Sequence, residues 1–206
     1  EGIKKFYMVE KIIKNFKSKA GQHIEILKLK EFGNALFIDS ELQVAEKDEE
    51  LYSSTFVNSG LKLSEKNSTA AIIGGGDGGV ARECIKNNFN YIDWFELDQE
   101  VVEACQEYLP DVFKNIHKSN KVNCIWGDAF KNIALCDDEK YDHLFIDLND
   151  DQFCIDLASK NIEEIKRITK KDGIITAQVG SRDKKPKQVN SWISTLESAF
   201  GNSKIS

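Results

Sequence analysis

The spacing of hydrophobic positions along this chain changes near residue 46. Before that point, short apolar segments are separated by turn residues. The segments are Ile24–Leu29, Ala35–Ile38 and Leu42–Val44, and the turns are Gly33-Asn34 and Asp39-Ser40. Short alternating segments joined by such turns are typical of antiparallel hairpins. We therefore predict a small antiparallel β domain over residues 1–46, with a further strand over 9–16.

Beyond residue 46, apolar runs of strand length alternate with segments of helical spacing. The predicted strands are 70–74, 91–96, 122–126, 142–147 and 173–179, and the predicted helices are 46–56, 79–88, 99–108, 129–135, 152–169 and 185–199. A linker is expected over 60–68, and Asp172-Gly173 should form a tight turn into the fifth strand. This alternation favours a parallel sheet with helices on both faces. The expected fold class is α/β, a Rossmann-like doubly wound sheet over residues 47–206.

A glycine-rich turn follows the first strand of the alternating region. Five glycines between Gly74 and Gly79 surround a single acid, Asp77. Strand, glycine turn and helix in this order form the nucleotide-approach segment of doubly wound folds, because glycine tolerates positive φ and has no Cβ. Gly74 and Gly76 are our candidates for close contact with a ligand. Glu96 lies about twenty residues further on, where such folds hold ribose hydroxyls with a carboxylate.

The charge of Asp77 narrows the ligand class, since an acid in this turn disfavours a phosphate or a carboxylate. A nucleoside with a cationic tail fits better. Glu96, Asp128 and Asp147 end the next three predicted strands, and the carboxyl ends of parallel strands share one rim of the sheet. Each acid alone is also typical of a helix cap. Because four carboxylates together repel one another without cations, we favour a cation-binding rim over four independent caps.

Composition excludes several other classes of protein. The net charge is -6 and the sequence pI is about 5.2, which argues against a nucleic-acid partner. Five scattered cysteines without a Cys-x-x-Cys pair indicate reduced thiols and a cytoplasmic protein. No membrane-length apolar run is present in the sequence. The three histidines lack metal-ligand spacing, so we predict no metal.

These segments closely resemble the polyamine aminopropyltransferases, the spermidine and spermine synthases. The strings that carry the resemblance are Ile72–Glu83, Glu96–Glu103, Gly127–Ala129 and Tyr141–Asp147, together with Gln22–Ile26, Phe32–Asn34, Gln43, Glu46–Glu49 and Tyr52 in the first part of the chain. The likeness extends from about residue 20 to 200. The family's last strands are expected to lie beyond Ser206.

The resemblance implies decarboxylated S-adenosylmethionine as the donor co-substrate. Asp77 would hold the ammonium of its aminopropyl group, and Gln22 would help to hold its nucleoside. Glu96 would bind the ribose hydroxyls. Asp128 and the backbone of Ala129 would bind the adenine amino edge. The expected assembly is a homodimer.

The resemblance also implies an acceptor side. Asp147 would be the catalytic carboxylate, Tyr52 would lie beside the attacking amine, and Gln43 would line the acceptor channel. Asp150 has the spacing of the family's second acid. Independently of the resemblance, Gln178 ends the fifth predicted strand and is a further candidate for an acceptor contact.

Two segments depart from the spermidine synthase pattern. Where spermidine synthases usually have Asp-Ser-Ser-Asp-Pro, this chain has Asp147-Leu148-Asn149-Asp150-Asp151. After the tyrosine that corresponds to Tyr52, spermidine synthases usually have His or Gln followed by Glu-Met, whereas this chain has Ser53-Ser54-Thr55. Leu148 is nearer to spermine synthase and slightly favours spermidine over putrescine as the polyamine acceptor, whereas Gln43 is nearer to spermidine synthase. An S-adenosylmethionine methyltransferase and a catalytically silent paralogue that binds polyamine or nucleoside remain alternatives.

Overall fold

The N-terminal region forms the antiparallel sheet that the hydrophobic pattern predicts. The protein is described here by a computed structural model that covers residues 5–64, 66–149 and 151–201. The strands are β1 (Val9–Lys17), β2 (His23–Leu29), β3 (Gly33–Ile38) and β4 (Glu41–Ala45), paired in that order. One face carries Ile24, Ile26 and Leu36 into the main core of the protein, because alternate strand residues point to opposite faces.

A parallel five-stranded sheet follows, and its order identifies the doubly wound fold. The strands are β5 (Thr69–Gly74), β6 (Tyr91–Glu96), β7 (Val122–Trp126), β8 (Tyr141–Asp147) and β9 (Thr169–Ala177), arranged β7-β6-β5-β8-β9. The chain builds outward from β5 first on one side and then on the other. The crevice between the carboxyl ends of β5 and β8 is therefore the place where such sheets bind ligands.

Helices cover both faces of this sheet, as predicted. They are α1 (Glu49–Leu61), α2 (Gly79–Lys86), α3 (Gln99–Tyr108), α4 (Ala129–Ile133), α5 (Gln152–Lys160), α6 (Ile162–Ile168) and α7 (Pro186–Phe200). In β5, Ala70 and Ile72 join the apolar cluster beneath α1, α2 and α3, while Ala71 and Ile73 join the cluster beneath α4, α5, α6 and α7. Burial on both faces explains why this strand is an unbroken apolar run.

The predicted first helix and linker are shifted along the chain. Helix α1 begins at Glu49 rather than residue 46 and continues to Leu61, into the segment expected to be a linker. Phe56, Val57 and Gly60 are buried against the sheet, so tertiary packing extends the helix past the point where local composition suggests an end. No helix in the described ranges has the length and apolarity that a bilayer crossing requires.

The predicted helix over 152–169 is divided at Asn161. The Asn161 side chain donates to the carbonyl oxygen of Leu157 at 2.8 Å, which satisfies an end carbonyl of α5 and lets α6 start in a new direction. Strand β9 then begins at Thr169, before the predicted turn. Asp172-Gly173 lies within β9, where the register with β8 shifts between Thr169 and Ile174, so this pair forms a bulge rather than a turn.

Candidate active site

The glycine turn is packed directly against the end of β8. Gly74 has φ +81° and Gly75 has φ +68°, which favour glycine. The Gly75 amide donates to the Asp147 carbonyl oxygen at 2.9 Å. A Cβ at Gly74 would overlap that same carbonyl oxygen, and one at Gly75 would lie 3.0 Å from Asp147 Oδ2. The two glycines therefore allow the turn to hold Asp147 in place.

Asp77 lies at the centre of the turn and starts α2. Its Oδ1 accepts a hydrogen bond from the Gly79 amide at 2.7 Å. Burial, then the nearby charge of Asp147, raises the pKa of Asp77 to about 8 despite that bond. A cation bound beside Asp77 would favour its ionised form, so the position suits an ammonium group.

Asp147 is joined to Tyr52 across the crevice. The Tyr52 hydroxyl donates to Asp147 Oδ1 at 2.6 Å, and the tyrosine ring stacks on Phe56 with centroids 5.8 Å apart. Burial raises the pKa of Asp147 to about 6, while the hydrogen bond from Tyr52 acts in the opposite direction. A carboxylate with a pKa near neutrality is suited to accept a proton from an amine.

Glu96 lies beneath the same turn. A Cβ at Gly76 would come within 3.1 Å of Glu96 Oε2, and Glu96 Oε1 accepts from the Asp98 amide at 2.9 Å. Burial raises the pKa of Glu96 to about 7, and Asp147 contributes in the same direction. The structure thus brings Asp77, Glu96 and Asp147 together, as the position of their strand ends predicts.

Asp128 is placed differently from the other three acids. It lies two residues after β7 and caps α4, where its Oδ1 accepts from the amides of Phe130 at 3.0 Å and Lys131 at 3.4 Å. Its Oδ2 lies 3.7 Å from the Lys131 ammonium. The helix-cap alternative therefore describes Asp128, and Ala129 is the first residue of the capped helix.

The three candidate glutamines occupy different parts of the molecule. Gln22 closes the turn between β1 and β2, and the Lys19 amide in that turn donates to Glu100 at 2.6 Å, which fixes the turn against the start of α3. Gln43 lies in β4, where its amide donates to the Glu41 carbonyl at 3.1 Å. Gln178 follows β9, and among the described residues its buried Oε1 has no hydrogen-bond partner. Asp150 lies outside the described residues.

A groove of about 1700 Å³ runs along β9 between α1 and α7. Tyr52, Thr55 and Gln178 line it, whereas Asp77 and Glu96 do not. This groove is therefore adjacent to the acidic crevice rather than identical with it. Tyr52 belongs to both, because it lines the groove and its hydroxyl donates to Asp147.

Sequence reasoning assigned no role to a buried ion pair beside the crevice. Glu49, at the start of α1, accepts two hydrogen bonds from Arg82 of α2, at 2.6 and 2.9 Å. Glu49 is only 5% exposed. It stands in the string Glu46–Glu49 noted above, but the sequence does not reveal its partner, because 33 residues separate the two.

A doubly wound sheet with a glycine turn and converging acids at its switch point is the arrangement found in α/β proteins that bind nucleotides and nucleosides. Residues 49–205 match the family model described as the spermine/spermidine synthase domain, and residues 1–46 match the spermidine synthase tetramerisation domain. The chain therefore belongs to the spermine/spermidine synthase family, and the resemblance noted from its strings is confirmed.

Curated relatives agree with this assignment. The polyamine aminopropyltransferase of Methanocaldococcus jannaschii is 36% identical over 66% of this chain and 46% of its own length. Polyamine aminopropyltransferase 1 of Hyperthermus butylicus is 30% identical over 95% of this chain and 69% of its own. The chain thus spans about half to two thirds of these relatives.

Two spermidine synthase crystal structures share the fold. One, in complex with the transition state analogue AdoDATO, superposes with a TM-score of 0.88 at 20% identity, covering 95% of this chain and 67% of its own. The Thermotoga maritima enzyme gives a TM-score of 0.81 at 21% identity, covering 94% and 64%. The expected Rossmann-like sheet with a small N-terminal β domain is confirmed.

Proposed function

We propose that this protein transfers the aminopropyl group of decarboxylated S-adenosylmethionine to a polyamine and releases methylthioadenosine. The observation that carries the proposal is the contact of the Asp77 turn with Asp147 and its bound Tyr52 hydroxyl. Two neighbouring, partly buried carboxylates need cations to remain ionised together. The donor ammonium and the acceptor amine supply two cations of this kind.

Donor binding would use the turn side of the crevice. Asp77 would pair with the aminopropyl ammonium, and Glu96 beneath Gly76 would accept hydrogen bonds from the ribose hydroxyls. Gln22, in the turn fixed against α3, would contact the nucleoside from above. Gly74 and Gly76 would leave room for the ligand at the backbone, while Asp128 and the Ala129 amide would approach the adenine.

Transfer would proceed by direct displacement at carbon. The acceptor nitrogen would attack the methylene next to the sulfonium, forming a C–N bond as the C–S bond breaks. Because a protonated amine has no free electron pair, Asp147 would accept its proton, and Tyr52 would orient that carboxylate. The sulfonium is already an activated leaving group, so the protein would contribute mainly positioning.

The proposal also specifies which polyamine accepts the aminopropyl group. Leu148 and the small residues after Tyr52 favour spermidine. The names of the solved neighbours point the other way, to spermidine as the product. We retain spermidine as the first acceptor to test and putrescine as the second. Gln43 and Asp150 are further candidates for acceptor contacts.

The N-terminal sheet supports an assembly larger than the homodimer expected from the sequence. Residues 1–46 match a model described as a tetramerisation domain. Met8, Val9 and Ile12 on or beside the outer strand β1 are 66%, 48% and 60% exposed, which is typical of an unpaired apolar interface. We propose a tetramer assembled through this sheet, which light scattering would measure directly.

The reducing cytoplasm is the compartment we propose for this reaction. The five cysteines are free in the structure, and reduced thiols are the rule in that compartment. Fractionation of the parent cells, followed by detection of the protein in each fraction, would test the compartment.

A product assay tests the proposed reaction against its alternatives. Purified protein is incubated with decarboxylated or ordinary S-adenosylmethionine and with putrescine or spermidine, and the nucleoside products are separated. We expect methylthioadenosine from the decarboxylated donor only. S-adenosylhomocysteine from the ordinary donor would instead identify a methyltransferase. Binding of the decarboxylated donor without product in any combination would identify a silent paralogue.

A further inference from the structure

Arg82 connects three elements around the glycine turn. Its guanidinium donates to both oxygens of Glu49 in α1, to Glu83 in its own helix, and to the carbonyl of Val112 after α3. The Arg82 side chain is 13% exposed and that of Glu49 is 3% exposed. A paired guanidinium–carboxylate contact of this kind fixes both position and orientation. The pair therefore holds α1 against the helix that starts at the turn.

The Glu49 carboxylate also reaches the turn itself. A Cβ added to Gly79 would overlap Glu49 Oε1 and the Ser53 hydroxyl, and would lie 3.1 Å from Asp77 Oδ1. Oxygens of Glu49 and Asp77 thus approach the same small space beside the Cα of Gly79. Only glycine leaves this space free. The Gly79 amide in turn donates to Asp77 Oδ1 at 2.7 Å.

We propose that Glu49 and Arg82 are positioning residues that set the place and the effective charge of Asp77 for a cationic ligand. Arg82 holds Glu49 close to the turn, and Glu49 in turn keeps a negative charge beside Asp77. The inference rests on the proposed function, because it takes the donor ammonium as the ligand of Asp77.

The charged and titratable groups that face Asp77 come from every element around it. They are Glu49 of α1, Arg82 of α2, Asp147 of β8, and Glu96 of β6 and Cys105 of α3 below the turn. Glu49 raises the pKa of Asp77 after the larger effects of burial and Asp147, and Arg82 lowers it. Removing the charge of Glu49 should therefore lower the pKa of Asp77, whereas removing the charge of Arg82 should raise it.

The experiment follows Asp77 directly in the ligand-free protein. The carboxyl carbons are labelled with carbon-13, the Asp77 signal is identified by its loss in Asp77→Asn, and the signal is titrated from pH 5 to pH 10. Glu49→Gln should move the Asp77 midpoint down, and Arg82→Gln should move it up. Each shift should be about 0.5–1 pH unit, the scale of one charge in a partly screened interior.

Two neighbouring variants serve as matched controls. Glu50→Gln removes a negative charge one position after Glu49, and Lys86→Gln removes a positive charge four positions after Arg82. Both residues are exposed, and their side chains pair with each other at 3.2 Å. Neither should move the Asp77 midpoint. If Arg82→Gln does not fold, Arg82→Lys keeps the positive charge but loses the paired contact that holds Glu49, so its midpoint should fall between those of wild type and Glu49→Gln, while Glu49→Gln still shifts downward.

Calorimetry with decarboxylated S-adenosylmethionine and with methylthioadenosine separates this inference from the proposed function. The midpoint of the pH dependence of donor affinity should follow the Asp77 midpoint in each variant, whereas the uncharged methylthioadenosine should show no such shift. Opposite Asp77 shifts without donor binding would overturn the proposed function and leave the coupling intact. Shifts in one direction, or shifts no larger than those of the two controls, would overturn the coupling.

Discussion

The hydroxyl of Tyr52 lies 2.6 Å from Asp147 Oδ1, although 95 residues separate the two in the chain. Tyr52 is in the first helix after the N-terminal sheet, and Asp147 is at the end of β8. The contact joins α1 to the end of β8 and gives one carboxylate oxygen a hydrogen-bond donor. Asp147 Oδ2 faces Gly75. The two oxygens of Asp147 therefore have separate neighbours, one from α1 and one from the glycine turn.

Replacing Asp147 by Asn should reduce turnover while donor affinity stays nearly constant, because in the proposed reaction this carboxylate acts on the acceptor proton. The expected loss is about 10²–10⁴-fold, the usual range for a positioned base. The rate that remains should rise with pH as the acceptor amine loses its proton unaided. Methylthioadenosine release at several pH values, beside donor calorimetry, measures both effects. Turnover within a few-fold of wild type would show that Asp147 is a structural acid, and Asp150 would be tested next.

Replacing Tyr52 by Phe should shift the acidic limb of the pH–rate profile to higher pH. The Tyr52 hydrogen bond holds the pKa of Asp147 below the value that burial alone would produce, so its loss should raise the pKa from about 6. The ring and its stacking on Phe56 are retained, which limits any effect on folding. Phe56→Leu is a matched control that disturbs the stacking but keeps the hydroxyl. An unmoved acidic limb in Tyr52→Phe would separate Tyr52 from the proton transfer.

Glu96→Gln should weaken donor binding by about tenfold or more, since it exchanges charge-assisted hydrogen bonds to the ribose for neutral ones. The fold should survive, because the side chain keeps its shape. Asp93→Asn, in the same strand, is the contrasting variant. Asp93 is fully buried and accepts hydrogen bonds from Lys140 and Tyr141, both at 2.7 Å. The Asp93→Asn variant should have a lower denaturation midpoint and an unchanged donor affinity.

Asp77→Asn should stabilise the ligand-free protein at alkaline pH. Folding raises the pKa of Asp77 from 3.8 to about 8, so the folded state holds a proton that the unfolded state has lost between these values. The associated stability is present at low pH and is lost as pH rises through about 8. Asparagine removes this dependence. We expect a gain of about 0.5–2 kcal/mol at pH 8 relative to pH 5, measured by urea denaturation of both proteins. If the difference in unfolding free energy between Asp77→Asn and wild type is the same at pH 5 and at pH 8, Asp77 is already ionised at pH 5.

Local features of the sequence were sufficient to predict the positions of the first four parallel strands and the turn between β5 and α2. The apolar run before Gly74 is buried on both sides of the sheet, and glycines with positive φ follow it. Both properties depend on a few neighbouring residues and on the spacing of apolar side chains. The convergence of Asp77, Glu96 and Asp147 followed from the same information, because parallel strands end at one rim.

Tertiary structure alone decided the contacts that join distant segments. The break at Asn161 and the bulge in β9 arise where helices and strands pack, and the apolar period there does not change. Asp128 resembles the other strand-end acids in sequence, yet it caps α4. The pairs Tyr52–Asp147 and Glu49–Arg82 depend on how α1 crosses the sheet. Hydrophobic spacing specifies which face of an element is buried, but the geometry of packing determines which polar side chains meet across the crevice.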